Sequence, residues 1–153
     1  MRLLLDTTYL LPAIGVSIKS IPKDAPIKLM QKGHQISISD VSVFELAAQG
    51  AKRITAENLS AERVARGIRA IVYDESLEVI PLYESAHLLT AFRLRSMLSD
   101  FVDCLILSSA INRCDALVTE DSDIQSLKRN REFNEILRTA NPGFKIQALR
   151  ETV

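Results

Sequence analysis

The sequence predicts an α/β fold: a mainly parallel central sheet flanked by helices on both faces, in three layers. Three observations lead there. Short apolar runs recur along the chain and stop at polar residues, as buried strands do. Longer stretches with helical periodicity separate them. Strands alternating with helices need crossover connections, which favour parallel pairing. With 153 residues and no internal repeat or linker, the chain is expected to form one domain over residues 1–153.

Arg2 to Leu5 reads as a buried strand that stops at Asp6, with a helix following it. Pro22 and Pro26 break the next region. Gln35 to Ser39 alternates as a second strand, and Ser39 or Asp40 caps a helix that carries Phe44, Glu45 and Ala48 and is expected to end at Gly50. A longer helix is expected from Thr55 to about Tyr73, with Leu59, Val64, Ile68, Ile71 and Val72 as its apolar stripe. Glu78 to Leu82 is a third strand, placed at an edge or end by Pro81. Helices follow over Glu84 to Leu98 and, opened by Ser99 or Asp100, on to about Arg113. Ala116 to Thr119 is a short buried strand closing on the acidic turn Glu120 to Asp123. A short helix, the turn Asn141-Pro142-Gly143 and a strand over Phe144 to Leu149 finish the chain.

A composition of 47% hydrophobic and 25% charged residues excludes a disordered or collagen-like chain. Asp6 and Pro12 interrupt the greasiest stretch, so neither a membrane span nor a secretory leader is expected. Cys104 and Cys114 lie ten residues apart in one helical run, about 15 Å along its axis, too far for a disulfide. Structural thiols in a reducing cytoplasm are the reading, and cytoplasmic location follows. His34 and His87 stand alone, without the spacing of a zinc site, and are expected on the surface or a helix face. Nineteen basic residues balance nineteen acidic ones. Spread evenly, that balance would argue against a nucleic-acid partner.

The acids are not evenly spread. In open α/β sheets ligands sit at the carboxyl ends of the strands, near the switch in strand order. Asp6 follows the first strand, Asp121 and Asp123 follow the fourth, and Glu45 and Asp103 lie in the first two turns of otherwise apolar helices. Each has an ordinary explanation: Asp6, Asp100 and Asp121 as helix caps, Asp103 as a first-turn acid, Glu45 as a solvent-facing side chain. Together they would meet at one sheet edge. Two carboxylates about 5 Å apart repel by roughly 3 kcal/mol at an effective dielectric of about 20, so the group needs a cation or must take up protons. Oxygen donors without His or Cys suit Mg²⁺ or Mn²⁺. Thr7, Thr8 and Thr119 would orient ligands and water around it. Hydrolysis of a phosphodiester by activated water is the chemistry that fits.

The segments Leu3 to Leu11, Ile38 to Gly50, Asp100 to Ala110 and Ala116 to Ile124, in that order and spacing, resemble the PIN domain, a Mg²⁺/Mn²⁺-dependent nuclease fold, over almost the full chain. The resemblance implies that Asp6, Glu45, Asp103 and Asp121 are the catalytic, metal-binding acids, that Asp123 is an additional one, and that Thr119 is the hydroxyl residue preceding the third acidic cluster. It also implies RNA as substrate and homodimerisation. Many small members are the toxin of a toxin–antitoxin pair, of the VapC type, held inactive by an antitoxin protein. Ile124 stands where the family often has Phe, and Asp100 adds an acid one turn before Asp103; Asp103 is favoured for metal, with Asp100 as cap.

Arg63, Arg66 and Arg69 recur every third residue and are expected along one helix face, while Arg93 with Arg95 and Lys128, Arg129 with Arg131 form further basic clusters. Each is either a solvated face or an RNA phosphate contact. With no Trp and few other aromatics, base-specific stacking is not expected. A metal-dependent endoribonuclease is thus the leading reading. Its alternative is a non-catalytic RNA-binding or assembly module that keeps the fold, against which the intact acidic set argues. An aspartyl-phosphate at Asp6 is disfavoured because Thr8 stands where a second acid is needed. Gathering five acids in one pocket would leave a basic exterior, so neutrality would be the sum of two segregated parts.

Overall fold

The computed structural model describes residues 1–152. Its sheet has five parallel strands, β1 (Arg2–Leu5), β2 (Gln35–Ser39), β3 (Leu77–Ile80), β4 (Ala116–Val118) and β5 (Lys145–Gln147), in the order β3-β2-β1-β4-β5. The α/β class expected from the sequence is the class observed. β1 is central, with Leu4 opposite both Ser37 of β2 and Leu117 of β4. Its Leu3, Leu4 and Leu5 are all fully buried, which is why the strand reads as a continuous apolar run. Successive side chains enter opposite layers. Leu4 joins Ile106, Leu107, Leu117 and Phe133 beneath α4 (Ser85–Leu94), α5 (Phe101–Arg113) and α7 (Arg131–Ala140). Leu3 and Leu5 pack with Tyr9 and Leu29 on the other face, beside α1 (Ala25–Gln31).

Several elements differ from expectation, each for a local reason. After β1 the chain forms a 3₁₀ helix over Thr7–Ile14 that contains Pro12 and ends at Gly15, whose φ of +93° suits glycine. Pro26 does not break structure but sits in the first turn of α1, where a missing N–H costs nothing. Gly50 does not end its helix: α2 runs from Asp40 to Glu57 and stops at Asn58, which takes the left-handed conformation. Gly50 instead permits contact, because a Cβ there would lie 2.5 Å from Val64 Cγ1. The helix expected from Thr55 to Tyr73 is therefore the end of α2 plus α3 (Ala61–Val72), started by Ser60, whose Oγ accepts from Arg63 N–H. α2, α3 and the 3₁₀ helix share a core of Leu10, Ile14, Leu46, Val64 and Ile71.

β3 ends at Ile80, before Pro81. α4 stops at Leu94, short of Leu98. β5 is confined to Lys145–Gln147, and a further turn of helix, α8 (Leu149–Thr152), takes the end of the expected last strand. A short α6 (Ser122–Ser126) follows the acidic turn. Of the two places expected for His87, a helix face is the one observed: it lies on α4, buried at 1% exposure, with Nδ1 3.0 Å from the Pro81 carbonyl oxygen. Cys104 and Cys114 are free and buried, and burial pushes the Cys114 thiol up to about 11. Among the described residues no helix is long and apolar enough to cross a membrane.

Candidate functional site

Strand order reverses between β1 and β4, because β2 and β3 extend the sheet on one side of β1 and β4 and β5 on the other. The carboxyl ends of those two strands therefore frame a crevice. Asp6, the first residue beyond β1, donates its N–H to the Val118 carbonyl at 3.1 Å and is 8% exposed. Its Oδ1 accepts from Thr7 N–H at 2.8 Å, and its Oδ2 accepts from the Thr119 hydroxyl at 2.5 Å. Thr119, the first residue beyond β4, is fully buried, and its Oγ1 also accepts from Asp121 N–H at 3.1 Å. The Thr7 hydroxyl donates to Glu45 Oε2 on α2. Thr7 thus reaches Asp6 with its backbone and Glu45 with its side chain.

Helix starts position the remaining acids. Ser39 caps α2 by accepting from Val41 N–H, which carries Glu45 one turn further in. Asp100 caps α5, its Oδ1 accepting from Val102 N–H at 2.8 Å, and Asp103 follows in the first turn. Asp121 Oδ1 accepts from both Asp123 and Ile124 N–H, each at 2.9 Å, and starts α6. Asp6, Asp100 and Asp121 are therefore helix caps, the ordinary role weighed for them, and the caps themselves bring carboxylates to one rim of the sheet.

The electrostatics show that these groups share one field. Burial, opposed by the hydrogen bonds from Thr119 and Thr7 and reinforced by Glu45 and Asp121, raises the Asp6 carboxyl to about 6. Burial, then the charges of Asp100, Asp6, Asp121 and Glu45, raise Asp103 to about 7. Among the described residues none of these acids, nor Asp123, has a Lys, Arg or His salt-bridge partner. No three His, Cys, Asp or Glu side chains among the described residues converge closely enough to enclose a metal ion. The carboxylates share a field rather than a closed coordination sphere. Their chemistry nonetheless fits a hard divalent cation: oxygen donors only, mutually repelling and without a basic counter-charge.

Other residues singled out from the sequence stand apart. Asp123 is exposed on the first turn of α6 and is absent from the charges acting on Asp6 and Asp103. Thr8 is half-buried. Arg63 is committed to structure, its guanidinium donating to the Ala13 and Pro12 carbonyls of the 3₁₀ helix. Arg66 and Arg69 are exposed, with Arg69 over the Tyr73 ring at 5.8 Å. The triplet does not share one free face because each three-residue step drifts by about 60° around a helix. Arg93 and Arg129 are exposed. Lys128 pairs with Glu151 at 3.4 Å, Arg131 with Glu135 at 3.4 Å, and Arg95 donates to the Leu98 carbonyl.

The sequence reading missed Tyr9 and Glu120. Tyr9, 2% exposed, donates its hydroxyl to Glu120 Oε1 at 2.7 Å; burial and that carboxylate raise the phenol's pKa. The position of Glu120 between Thr119 and Asp121 was the available signal.

A family model described as PIN domain matches residues 3–130. Comparison with curated protein sequences finds no match. Among solved structures the chain is similar to VapBC2 from Rickettsia felis bound to a DNA fragment from its promoter, at 21% identity and a TM-score of 0.61 over 97% of this chain and 98% of that one. It is similar to DNA-bound VapBC from Salmonella typhimurium at 20% identity and a TM-score of 0.59, again over 97% and 98%. VapBC-5 from Mycobacterium tuberculosis, a member of the VapBC family of toxin–antitoxin systems, aligns at 15% identity and a TM-score of 0.50 over 96% of each chain. At these identities the likeness is one of fold.

Proposed function

The chain belongs to the PIN domain family, and from that premise we propose that it is a Mg²⁺- or Mn²⁺-dependent endoribonuclease acting as the toxin of a toxin–antitoxin pair. The observation that carries the reading is the field at the sheet edge: burial and four neighbouring acids raise Asp103 to about 7, and among the described residues none of them has a basic salt-bridge partner. A purely structural set of caps would gain nothing from that repulsion.

Asp6, Glu45, Asp103 and Asp121 would hold the cation, with Asp123 at the rim. A bound divalent ion supplies charge neutralisation for the phosphodiester and a more acidic water as nucleophile. The chain's own residues do the rest. Thr119 and the Thr7 N–H fix the two oxygens of Asp6, so this carboxylate needs little reorganisation on loading. The Thr7 hydroxyl orients Glu45. Asp121 commits Oδ1 to the start of α6 and would offer Oδ2 to the cation. The exposed Arg66, Arg69, Arg93 and Arg129 are the groups to contact RNA phosphates, with Lys128 joining them by leaving its ion pair with Glu151. Water attack leaves a 3′-hydroxyl and a 5′-phosphate, with no requirement for the 2′-hydroxyl.

The antitoxin is proposed from the fold likeness to VapBC structures, one of which is described as a member of a family of toxin–antitoxin systems, and a homodimer from the family resemblance. The test is incubation of the protein with fluorescent RNA in Mg²⁺ or Mn²⁺, with EDTA as control. Cleavage that needs metal and disappears in Asp6→Asn and Asp103→Asn is expected. RNA retention without cleavage in either metal would replace the reading with that of a binding module.

A further inference from the structure

Glu120 is an acid placed where the candidate site already has too many, yet its carboxylate is directed elsewhere. Its Oε1 accepts two hydrogen bonds, from the Tyr9 hydroxyl at 2.7 Å and from the Leu149 N–H at 2.8 Å. The first donor belongs to the 3₁₀ helix, two residues after Thr7. The second is the first residue of α8. On either side of Glu120, Thr119 holds Asp6 and Asp121 opens α6. One oxygen therefore joins three segments: the turn after β1, the turn after β4 and the C-terminal helix. The last of these lies beyond residues 3–130, the part of the chain that matches the family.

We infer that Glu120 is a positioning residue through which Tyr9 and the start of α8 hold the Thr119–Asp121 turn in register with Asp6. Thr119 is gripped from its other side as well, its carbonyl accepting from Gln125 Nε2 at 2.7 Å. Displacement of the turn would move the Thr119 hydroxyl and Asp121 together, so the distance between the acids of β1 and β4 depends on this contact. A misplacement of about 1 Å costs up to about a hundredfold in rate when groups must meet a reacting centre. Glu120 does this as an acceptor and not as a charge. A glutamine Oε1 can accept the same two bonds, and its amide would lie where Oε2 now does. An alanine can accept neither.

The inference rests on the ribonuclease reading for its rate arm and is independent of it for its structural arm. Four full-length variants serve: Glu120→Gln, Glu120→Ala, Leu149→Pro and Leu149→Ala. Proline at the first position of α8 deletes the N–H donor with little cost to the helix, and the alanine variant controls for loss of the leucine side chain. Metal-dependent RNA cleavage is expected to fall about tenfold in kcat in Glu120→Ala and about threefold or more in Leu149→Pro beyond Leu149→Ala. KM is expected to stay within about twofold, and Glu120→Gln to keep at least about half of the wild-type kcat. In metal-free protein, hydrogen exchange across Thr119 to Ile124 should quicken in Glu120→Ala and Leu149→Pro and not in Glu120→Gln. Both Glu120 variants remove the same charge, so equal damage from them would overturn the positioning role, as would unchanged exchange in Glu120→Ala. If wild-type protein cleaves nothing, the function proposal fails and the exchange pattern alone upholds or refutes the role of Glu120.

Discussion

Replacing Asp6 with Asn separates the stability of the crevice from its activity. The carboxyl is raised from 3.8 to about 6, so the charged form is disfavoured in the folded protein by about 3 kcal/mol at about 1.36 kcal/mol per unit. That figure already includes the help given by Thr119 and Thr7, which pull in the opposite direction. The sign follows from linkage: between these values the folded protein holds a proton that the unfolded chain has released, so the penalty is absent below about 4 and complete above about 6. Asparagine cannot ionise. Its Oδ1 can accept from Thr7 N–H, and its amide can donate to the Thr119 oxygen. In EDTA, Asp6→Asn should therefore gain on the wild type by up to about 3 kcal/mol between pH 4 and pH 8, roughly 6–12 °C in melting temperature for a chain of this size. Adding Mn²⁺ should reverse the order, because an ion at about a thousand times its Kd stabilises the wild type by about 4.1 kcal/mol, more than the penalty, and the variant lacks a ligand. Melting curves at both pH values, with EDTA and with Mn²⁺, measure all of this. Parallel stability of the two proteins from pH 4 to pH 8, or equal shifts with Mn²⁺, would refute the reasoning.

Asp103 is raised further, to about 7, so metal-free stability should keep declining from pH 6 to about pH 7 and then level off; urea midpoints in EDTA would show the decline, and Asp103→Asn should flatten its upper part. Gly50→Ala gains about 1 kcal/mol of helix propensity but forces a Cβ to 2.5 Å from Val64 Cγ1, an overpacking cost of about 1–3 kcal/mol. A net loss in urea stability is expected, and adding Val64→Ala should recover part of it, a coupling that additive effects of the two substitutions would exclude. Arg66→Ala with Arg69→Ala should make the salt dependence of RNA binding shallower by up to about 1.4–1.8 in log–log slope, whereas Arg63→Ala should act chiefly on stability, since its guanidinium holds the Ala13 and Pro12 carbonyls. A slope change from Arg63→Ala as large as that from the pair would reverse this assignment.

What could be read from the sequence and what could not divides along physical lines. β1 was legible because a strand buried on both faces must be continuously apolar, and Leu3 to Leu5 are. Asp6, Asp100 and Asp121 were legible as caps because a carboxylate before a helix has a local job, done within three residues. Gly50 is not legible in the sequence, for the opposite reason. Its meaning lies in Val64, on another helix, and glycine alone does not distinguish a helix end from a close crossing. Arg63 hides its role in the same way: its spacing from Arg66 suggests a shared face, but its partners are carbonyls about fifty residues earlier in the chain. The helix expected after β1 is present, as a 3₁₀ helix, whereas α8 is too short to establish a period in the sequence.

The choice between cap and ligand, posed for each acid from the sequence, dissolves at the sheet edge. A cap fixes where a carboxylate sits by binding one of its oxygens to backbone N–H groups, as Asp121 does with Oδ1. It leaves the other oxygen at a helix start, and in a parallel sheet helix starts gather at the carboxyl ends of the strands. Local folding signals therefore place the acids, and the topology makes them repel. Asp6 adds the step that no local signal contains. Its second oxygen is bound by Thr119 from the neighbouring strand, so its geometry is secured by long-range pairing of β1 with β4 while its charge stays uncompensated. Fixed geometry with unmet charge is the condition under which a cation can bind at small reorganisation cost, and it is also why the metal-free protein is predicted to gain stability when that charge is removed.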